Sequence, residues 1–259
     1  MDGYDASTYG DRFADVYDDW YGDVTDADAC TARLAALAAA REVGPILELG
    51  VGSGRLAIPL AARDLEVHGL DASTAMLDRL RAKPGADRVT TAHGDMADPP
   101  PGPWAVVFVA FNTFFNLASE DAQRRCLAAV AASLRDDGCF VVEAFVPADE
   151  GPATEGSVTP RRIAADEVVL SVSQHDRRQQ TISGSHVHLT EAGTRLRPWH
   201  LRYASPRQLD DMAAVAGLVL QERWADWDGT PFDDAATVHV SVYGRSNVHP
   251  VHIGVATTR

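Results

Sequence analysis

Residues 46 to 61, ILELGVGSGRLAIPLA, constrain what this chain can fold into more than any other stretch. An apolar run of strand character ends in Gly50, Gly52 and Gly54, spaced two apart, and passes straight into an amphipathic helix. Glycine at such a junction lets the backbone come close to a ligand, and the helix start offers N–H groups without intrahelical partners. With Ala57 the stretch also satisfies the loose G-x-G-x-x-G/A dinucleotide pattern, and glycine turns of this kind occur without any ligand. The motif defines an element of the fold and leaves its ligand open.

The rest of the chain supplies the sheet around it. Strands at 45–50, 65–70, 88–92, 104–110 and 138–145 alternate with helices at 54–63, 73–83 and 119–135. That order predicts an α/β, Rossmann-like, doubly wound sheet. A helix at 206–216, closed by Gly217, precedes strands at 218–227 and 236–244, which bring the sheet to seven strands with a C-terminal antiparallel hairpin. Ahead of the core, residues 8 to 21 (TYGDRFADVYDDWY) place Tyr9, Phe13, Tyr17 and Tyr21 four apart on one helix face, and an alanine-rich helix follows at 27–42. After Pro147 the texture changes. Residues 150–160 read as a Gly/Pro/Thr loop, and segments 161–175, 179–190 and 194–204 read as an inserted antiparallel β-meander. The organisation predicted is an N-terminal helical lid (1–42), a ligand-binding core (43–148), a β cap insertion (149–205), completion of the core (206–245) and a C-terminal tail (246–259).

Composition removes whole classes of partner. Lysine and arginine number 23 against 37 acidic residues, a net charge of −14, with no basic cluster longer than two residues. Such a surface repels nucleic acid. Cys30, Cys126 and Cys139 are widely spaced, form no CxxC pair and read as reduced thiols of an intracellular protein. The first residues lack the basic start and apolar core of a signal peptide, and no apolar run approaches the roughly 18 residues a spanning helix needs. The expectation is a cytoplasmic protein without a membrane partner, whose acidic surface and exposed lid leave room for a homodimer.

Three acidic residues narrow the ligand. Asp71 ends the second strand, where a carboxylate can accept both hydroxyls of a ribose. Glu48, two residues before the first glycine, repels a pyrophosphate and suits a ligand carrying a sulfonium and an ammonium. In HGDM, Asp95 follows the third strand, placed for an adenine amino group with Met96 against the ring. Alone each is more often a turn or cap residue; three at the ends of adjacent strands are less easily dismissed, Asp71 suiting the ribose of NAD and of S-adenosylmethionine alike and Glu48 favouring S-adenosylmethionine.

The run ELGVGSG with Asp71 downstream, then GDM, VVFVAFNTFFNL and GCFVVEAFVP, resembles the class I S-adenosylmethionine-dependent methyltransferases. The resemblance covers about residues 5 to 245. YGDRFADVYDDWY, the meander and the closing HVSVYGR are similar to the small-molecule branch that includes amino-sugar N,N-dimethyltransferases and glycine N-methyltransferase. It implies that Glu48, Gly50 and Gly52 line the cofactor and that Asp71 holds its ribose. Ala72 and Met76 would flank the adenine, Asp95 and Met96 would bind its edge and face, and Phe111 would lie beneath the methionine moiety. Tyr9 or Tyr17 would cover the methionine carboxylate. The product would be S-adenosylhomocysteine.

The acceptor is a small molecule on this reading, methylated at oxygen or nitrogen in specialised metabolism. Candidates to hold it come from the ends of the fourth and fifth strands and from the meander: Asn112, Phe115, Trp199 and Arg202 as substrate contacts, and His200, Tyr203 and Glu143 as catalytic groups. Alternation in RLRPWHLRY puts Trp199, Leu201 and Tyr203 on one face and His200 with Arg202 on the other, so only one set can face a pocket. Tyr203 and Trp199 are the favoured walls and His200 the leading base. His186 and His188 lack partner ligands of clear spacing, so no metal site is expected. An NAD-dependent dehydrogenase of the Tyr-x-x-x-Lys type is excluded, because Arg79 stands four residues before Lys83, the single lysine. A methyltransferase fold used for a cyclisation, or for methylating a peptide or protein, stays open.

Overall fold

A computed structural model describes residues 1, 3–22, 24, 26–148 and 151–246. The tail set apart above lies outside the described residues from 247 onward. The core is a seven-stranded sheet built from β1 (Ile46–Leu49), β2 (Val67–Asp71), β3 (Val89–His93), β4 (Trp104–Val109), β5 (Leu134–Phe145), β10 (Leu218–Trp224) and β11 (Val238–Arg245). Its order is β10-β11-β5-β4-β1-β2-β3. β1 to β5 run parallel to one another, and β11 runs antiparallel between β5 and β10. The chain winds outward from β1 through β2 to β3, then returns to β4 on the other side of β1. That reversal opens a crevice at the carboxyl ends of β1 and β4, where open α/β sheets seat their ligands.

Every residue of β1 and β4 is buried, the signature of strands covered on both faces. Period-two alternation divides them between two apolar layers. Leu47, Leu49, Val107 and Val109 pack with α6 (Glu120–Ser133) and α7 (Pro206–Val215). Ile46, Val106 and Phe108 pack with α3 (Ala27–Ala39) and α5 (Thr74–Arg81) on the opposite side, together with α4 (Ala57–Ala61). Helix starts are fixed by side chains in the sequence: Ser73 and Ser119 accept backbone N–H groups, and Ser205 with Gln208 forms a capping box ahead of Pro206.

Two elements depart from the sequence reading. The helix expected over 8–21 is two short helices, α1 (Thr8–Phe13) and α2 (Tyr17–Tyr21), separated by a turn. The turn carries Asp15 across to the cap, where it pairs with Arg197 at 2.6 Å and Arg195 at 2.7 Å. The meander has four strands in the order β6-β7-β8-β9, namely β6 (Thr154–Ile163), β7 (Glu167–Asp176), β8 (Thr181–Thr190) and β9 (Gly193–Arg202). Much of the stretch expected to be a loop is therefore β6, an edge strand exposed at every position. With no buried face it has no apolar alternation to read; its ladder to β7 holds it, with a bulge between Pro160 and Arg162.

Candidate active site

The glycine loop leaves β1 in a left-handed conformation. Gly50 has φ +71° and Gly52 φ +55°. A Cβ on Gly50 would stand 2.4 Å from Thr113 Cγ2, whereas one on Gly52 would meet nothing within 4 Å. Gly52 thus borders open space that any side chain would take. Its N–H donates to Asp71 Oδ2 at 2.8 Å, and the Ser73 N–H donates to Asp71 Oδ1 at 2.8 Å. Each carboxylate oxygen holds one backbone donor and keeps capacity to accept another hydrogen bond. Burial raises the Asp71 pKa and the two N–H donors oppose it.

A cavity of about 230 Å³ lies over this loop. Gly50, Gly52, Asp71 and Ala72 line it from the strand ends, Met76 from α5, and Asp95 and Met96 from the turn after β3. Tyr9 and Tyr17 line it from α1 and α2. Glu48, expected to line the cofactor, is not among the residues lining this cavity; it is 5% exposed, and its Oε2 has no partner among the described residues. Burial raises its pKa well above the carboxylate range, and the nearby Arg55 guanidinium pulls the other way. Arg55 Nη1 is buried and unpartnered as well among the described residues. Burial also raises Tyr9 well above its ordinary value and Tyr17 to about 12, so both keep their protons. Among them these groups suit a ligand with a ribose, an ammonium and a carboxylate.

A second cavity of about 210 Å³ shares Tyr9, Tyr17, Thr113 and Asn116 with the first. Phe111, Asn112, Tyr21, His186, Trp199 and Leu201 complete its lining. The reversal after β4 positions Phe111 and Asn112, at φ 50° and 63°, outside the usual range for L residues. Three hydrogen bonds hold it: Phe111 N–H to Glu143 Oε2 at 2.7 Å, Asn112 N–H to Glu143 O at 3.1 Å, and Phe145 N–H to Asn112 Oδ1 at 2.7 Å.

The remaining candidates stand apart from both cavities. The Glu143 carboxylate is engaged with the Phe111 backbone. Phe115 is fully buried against Phe145. Arg202 is bound to Gln123 Oε1 and Glu120 Oε2, each at 2.7 Å. Tyr203 packs on Phe145 and shares a 2.9 Å hydrogen bond with His175 Nε2. His200 is on the face of β9 opposite Trp199 and Leu201, with Nδ1 2.8 Å from Ser183 Oγ. Sequence reasoning passed over Tyr21, Thr113, Asn116 and His186 as lining residues. Tyr21 shares the aromatic helix stripe, and Thr113 and Asn116 share the turn after β4; His186 has no comparable local signal.

Comparison with known proteins decides what this arrangement belongs to. A family model described as a methyltransferase domain matches residues 46–138. The solved CcbJ methyltransferase from Streptomyces caelestis is 43% identical, with a TM-score of 0.84 over 94% of this chain and 100% of that one. The chain is an S-adenosylmethionine-dependent methyltransferase. The methyltransferase is also 26% identical over 191 residues to a cypemycin N-terminal methyltransferase of Streptomyces sp, covering 72% of this chain and 77% of that protein. It shares the fold of the sugar N-methyltransferase KedS8 from Streptoalloteichus sp ATCC 53650, at 20% identity and a TM-score of 0.66 over 95% and 99% of the two chains. The enzyme uses S-adenosylmethionine. Among the described residues no helix is long and apolar enough to cross a membrane.

Proposed function

We propose that the enzyme methylates an amine nitrogen of a small natural product, with S-adenosylmethionine over the glycine loop and the acceptor in the aromatic cavity beside it. The observation that carries this reading is the lining of the second cavity: aromatic rings, aliphatic Leu201 and neutral polar groups, with no carboxylate or guanidinium. A neutral amine attacks without a base, whereas an alcohol needs one. His186, the imidazole on that lining, is pushed down to about 4 by burial, then by Arg161 and Arg197, and is too weak a base for an alcohol. Aromatic faces also stabilise the ammonium that forms. The name of the cypemycin relative supports nitrogen as the accepting atom.

In this reading Asp71 accepts the ribose hydroxyls, Asp95 and Met96 hold the adenine, and Ala72 and Met76 flank it. Glu48 receives the methionine ammonium, and the Tyr9 and Tyr17 hydroxyls cover the carboxylate end. The bound cofactor supplies an electrophilic methyl group on a sulfonium. The chain contributes orientation: Tyr9, Tyr17, Thr113 and Asn116 border both ligands. The buried, unpaired Cys30, Cys126 and Cys139 support a reducing, cytoplasmic setting. The test is incubation with S-adenosylmethionine and matched small amines and alcohols, read by mass for the gain of one methyl group. Methylation of the alcohols in preference to the amines rejects nitrogen.

A further inference from the structure

Each of the two N-terminal helices is fastened to the loops around Asp71 by an aspartate that accepts a serine hydroxyl. Asp18 of α2 accepts Ser53 Oγ at 2.5 Å, and Asp11 of α1 accepts Ser73 Oγ at 2.6 Å. Ser53 stands between Gly52 and Gly54 in the glycine loop, and Ser73 is the N-cap of α5. Both serines are 1% exposed. At Gly10 the backbone of α1 comes so near Ser73 that an added Cβ would stand 2.4 Å from the Ser73 Cβ. The same two segments hold Asp71, through the N–H of Gly52 beside Ser53 and the N–H of Ser73 itself. The backbone donors that orient Asp71 therefore belong to the residues that seat α1 and α2.

The α2 joint has a third member. Lys83, two residues past the end of α5 and the single lysine of the chain, donates from Nζ to Asp18 Oδ1 at 2.8 Å and to Ser53 Oγ at 3.0 Å. Arg79 Nε lies 4.0 Å from the other Asp18 oxygen. Burial works to raise the Asp18 pKa, and the Lys83 and Ser53 hydrogen bonds outweigh it and hold it below its ordinary value. Neither Asp18, Ser53 nor Lys83 lines a cavity, yet Tyr17, the residue before Asp18, lines both, and Gly52, the residue before Ser53, lines the first. The joint can reach the cofactor site only by fixing these neighbours.

We propose that Asp18, Ser53 and Lys83 are positioning residues that couple the seating of α2 to cofactor binding. A cofactor engaged by Asp71 on the strand side and by Tyr17 on the helix side tightens the joint between those two sides, and the closed joint raises cofactor affinity. Such coupling is reciprocal: each event favours the other by the same factor. This rests on the reading that places S-adenosylmethionine over the glycine loop with its ribose at Asp71. A joint that only fastened a helix to the surface would be indifferent to the ligand.

The single lysine makes the coupling measurable without a methyl acceptor. Succinimidyl acetate reacts with Lys83 Nζ once it leaves Asp18, and the acetylated peptide is followed by mass. Saturating S-adenosylhomocysteine should slow that reaction about fivefold, and protein acetylated beforehand should bind S-adenosylhomocysteine weaker by a matching factor in calorimetry. Lys83→Arg, which keeps the charge and leaves the N-terminus as the reactive amine, should bind close to wild type before and after the same treatment. Asp18→Asn and Lys83→Met should each weaken binding about fivefold, and the double variant no further, because both open one joint. Ligand-free melting curves show that each variant is folded. Acetylation of Lys83 at the same rate with and without S-adenosylhomocysteine, or wild-type affinity in folded Lys83→Met, would overturn the proposal. Equal affinity of wild type and Asp71→Ala would instead remove the reading beneath it.

Discussion

The Glu143 carboxylate accepts the backbone N–H of Phe111 at 2.7 Å, and Phe111 holds φ at 50°. A buried carboxylate thus braces the strained reversal that sets Phe111 and Asn112 on the aromatic cavity. Glu143→Ala leaves the N–H unpaired and the strain unopposed, with a cost of about 2 kcal/mol. In a domain this size that lowers Tm by roughly 4–8 °C by calorimetry. Glu143→Gln keeps an acceptor oxygen. It should retain most of kcat, whereas a general base at this position would lose it.

Glu48 gives a prediction of opposite sign for stability and binding. Its folded pKa lies above that of the unfolded chain, so its contribution to stability is present below the ordinary carboxylate range and is lost as pH rises through the folded value. Glu48→Gln removes that loss. The ligand-free variant should melt roughly 2–4 °C higher than wild type at neutral pH, for about 1 kcal/mol gained. Its affinity for S-adenosylmethionine should fall by about tenfold, because a charge-assisted partner for the ammonium is gone. Calorimetry reads both; an unchanged melting temperature with weaker binding would contradict the burial argument.

The parallel sheet was legible because β1 and β4 are short apolar runs followed by glycine or turn residues, and the ligand crevice follows from the sheet's order. That Gly50, Gly52 and Asp71 line one cavity was legible because strand-end chemistry is local. β6 was not, since an edge strand wet on both faces has no period. The assignment of Tyr203 and Trp199 to one wall followed correct alternation, yet Tyr203 lies just past the end of β9, where its hydroxyl meets His175. His186 faces the cavity only because β8 pairs with β9 in a register that places Gly184 opposite Trp199, which no short window of sequence states.

Asp15 and Arg197 join the N-terminal helices to the meander, with two contacts at 2.6 and 2.9 Å and a further bond from Arg197 to the Arg12 carbonyl. The Arg197 side chain is 2% exposed and that of Asp15 44%, so solvent screens the pair and Asp15→Ala should cost about 1–2 kcal/mol, below a fully buried bridge. The hydrogen bond from Arg197 is the main cause holding the Asp15 pKa down. That stabilisation is present above the ordinary carboxylate range and disappears as pH falls through the depressed value. Wild-type cofactor affinity should therefore weaken toward acid pH more steeply than that of Asp15→Ala, which starts weaker. Parallel pH profiles would show that this ion pair does not govern cofactor binding.

Asp71 carries the central claim, because it joins the glycine loop to the start of α5 and faces the cavity above them. Isothermal titration of wild type and Asp71→Ala with S-adenosylmethionine and S-adenosylhomocysteine tests it most directly. The account predicts micromolar binding of both ligands by wild type, on the order of −8 kcal/mol, and loss of at least tenfold in the variant. Equal affinity in the two proteins would contradict the placement of the cofactor's ribose at Asp71.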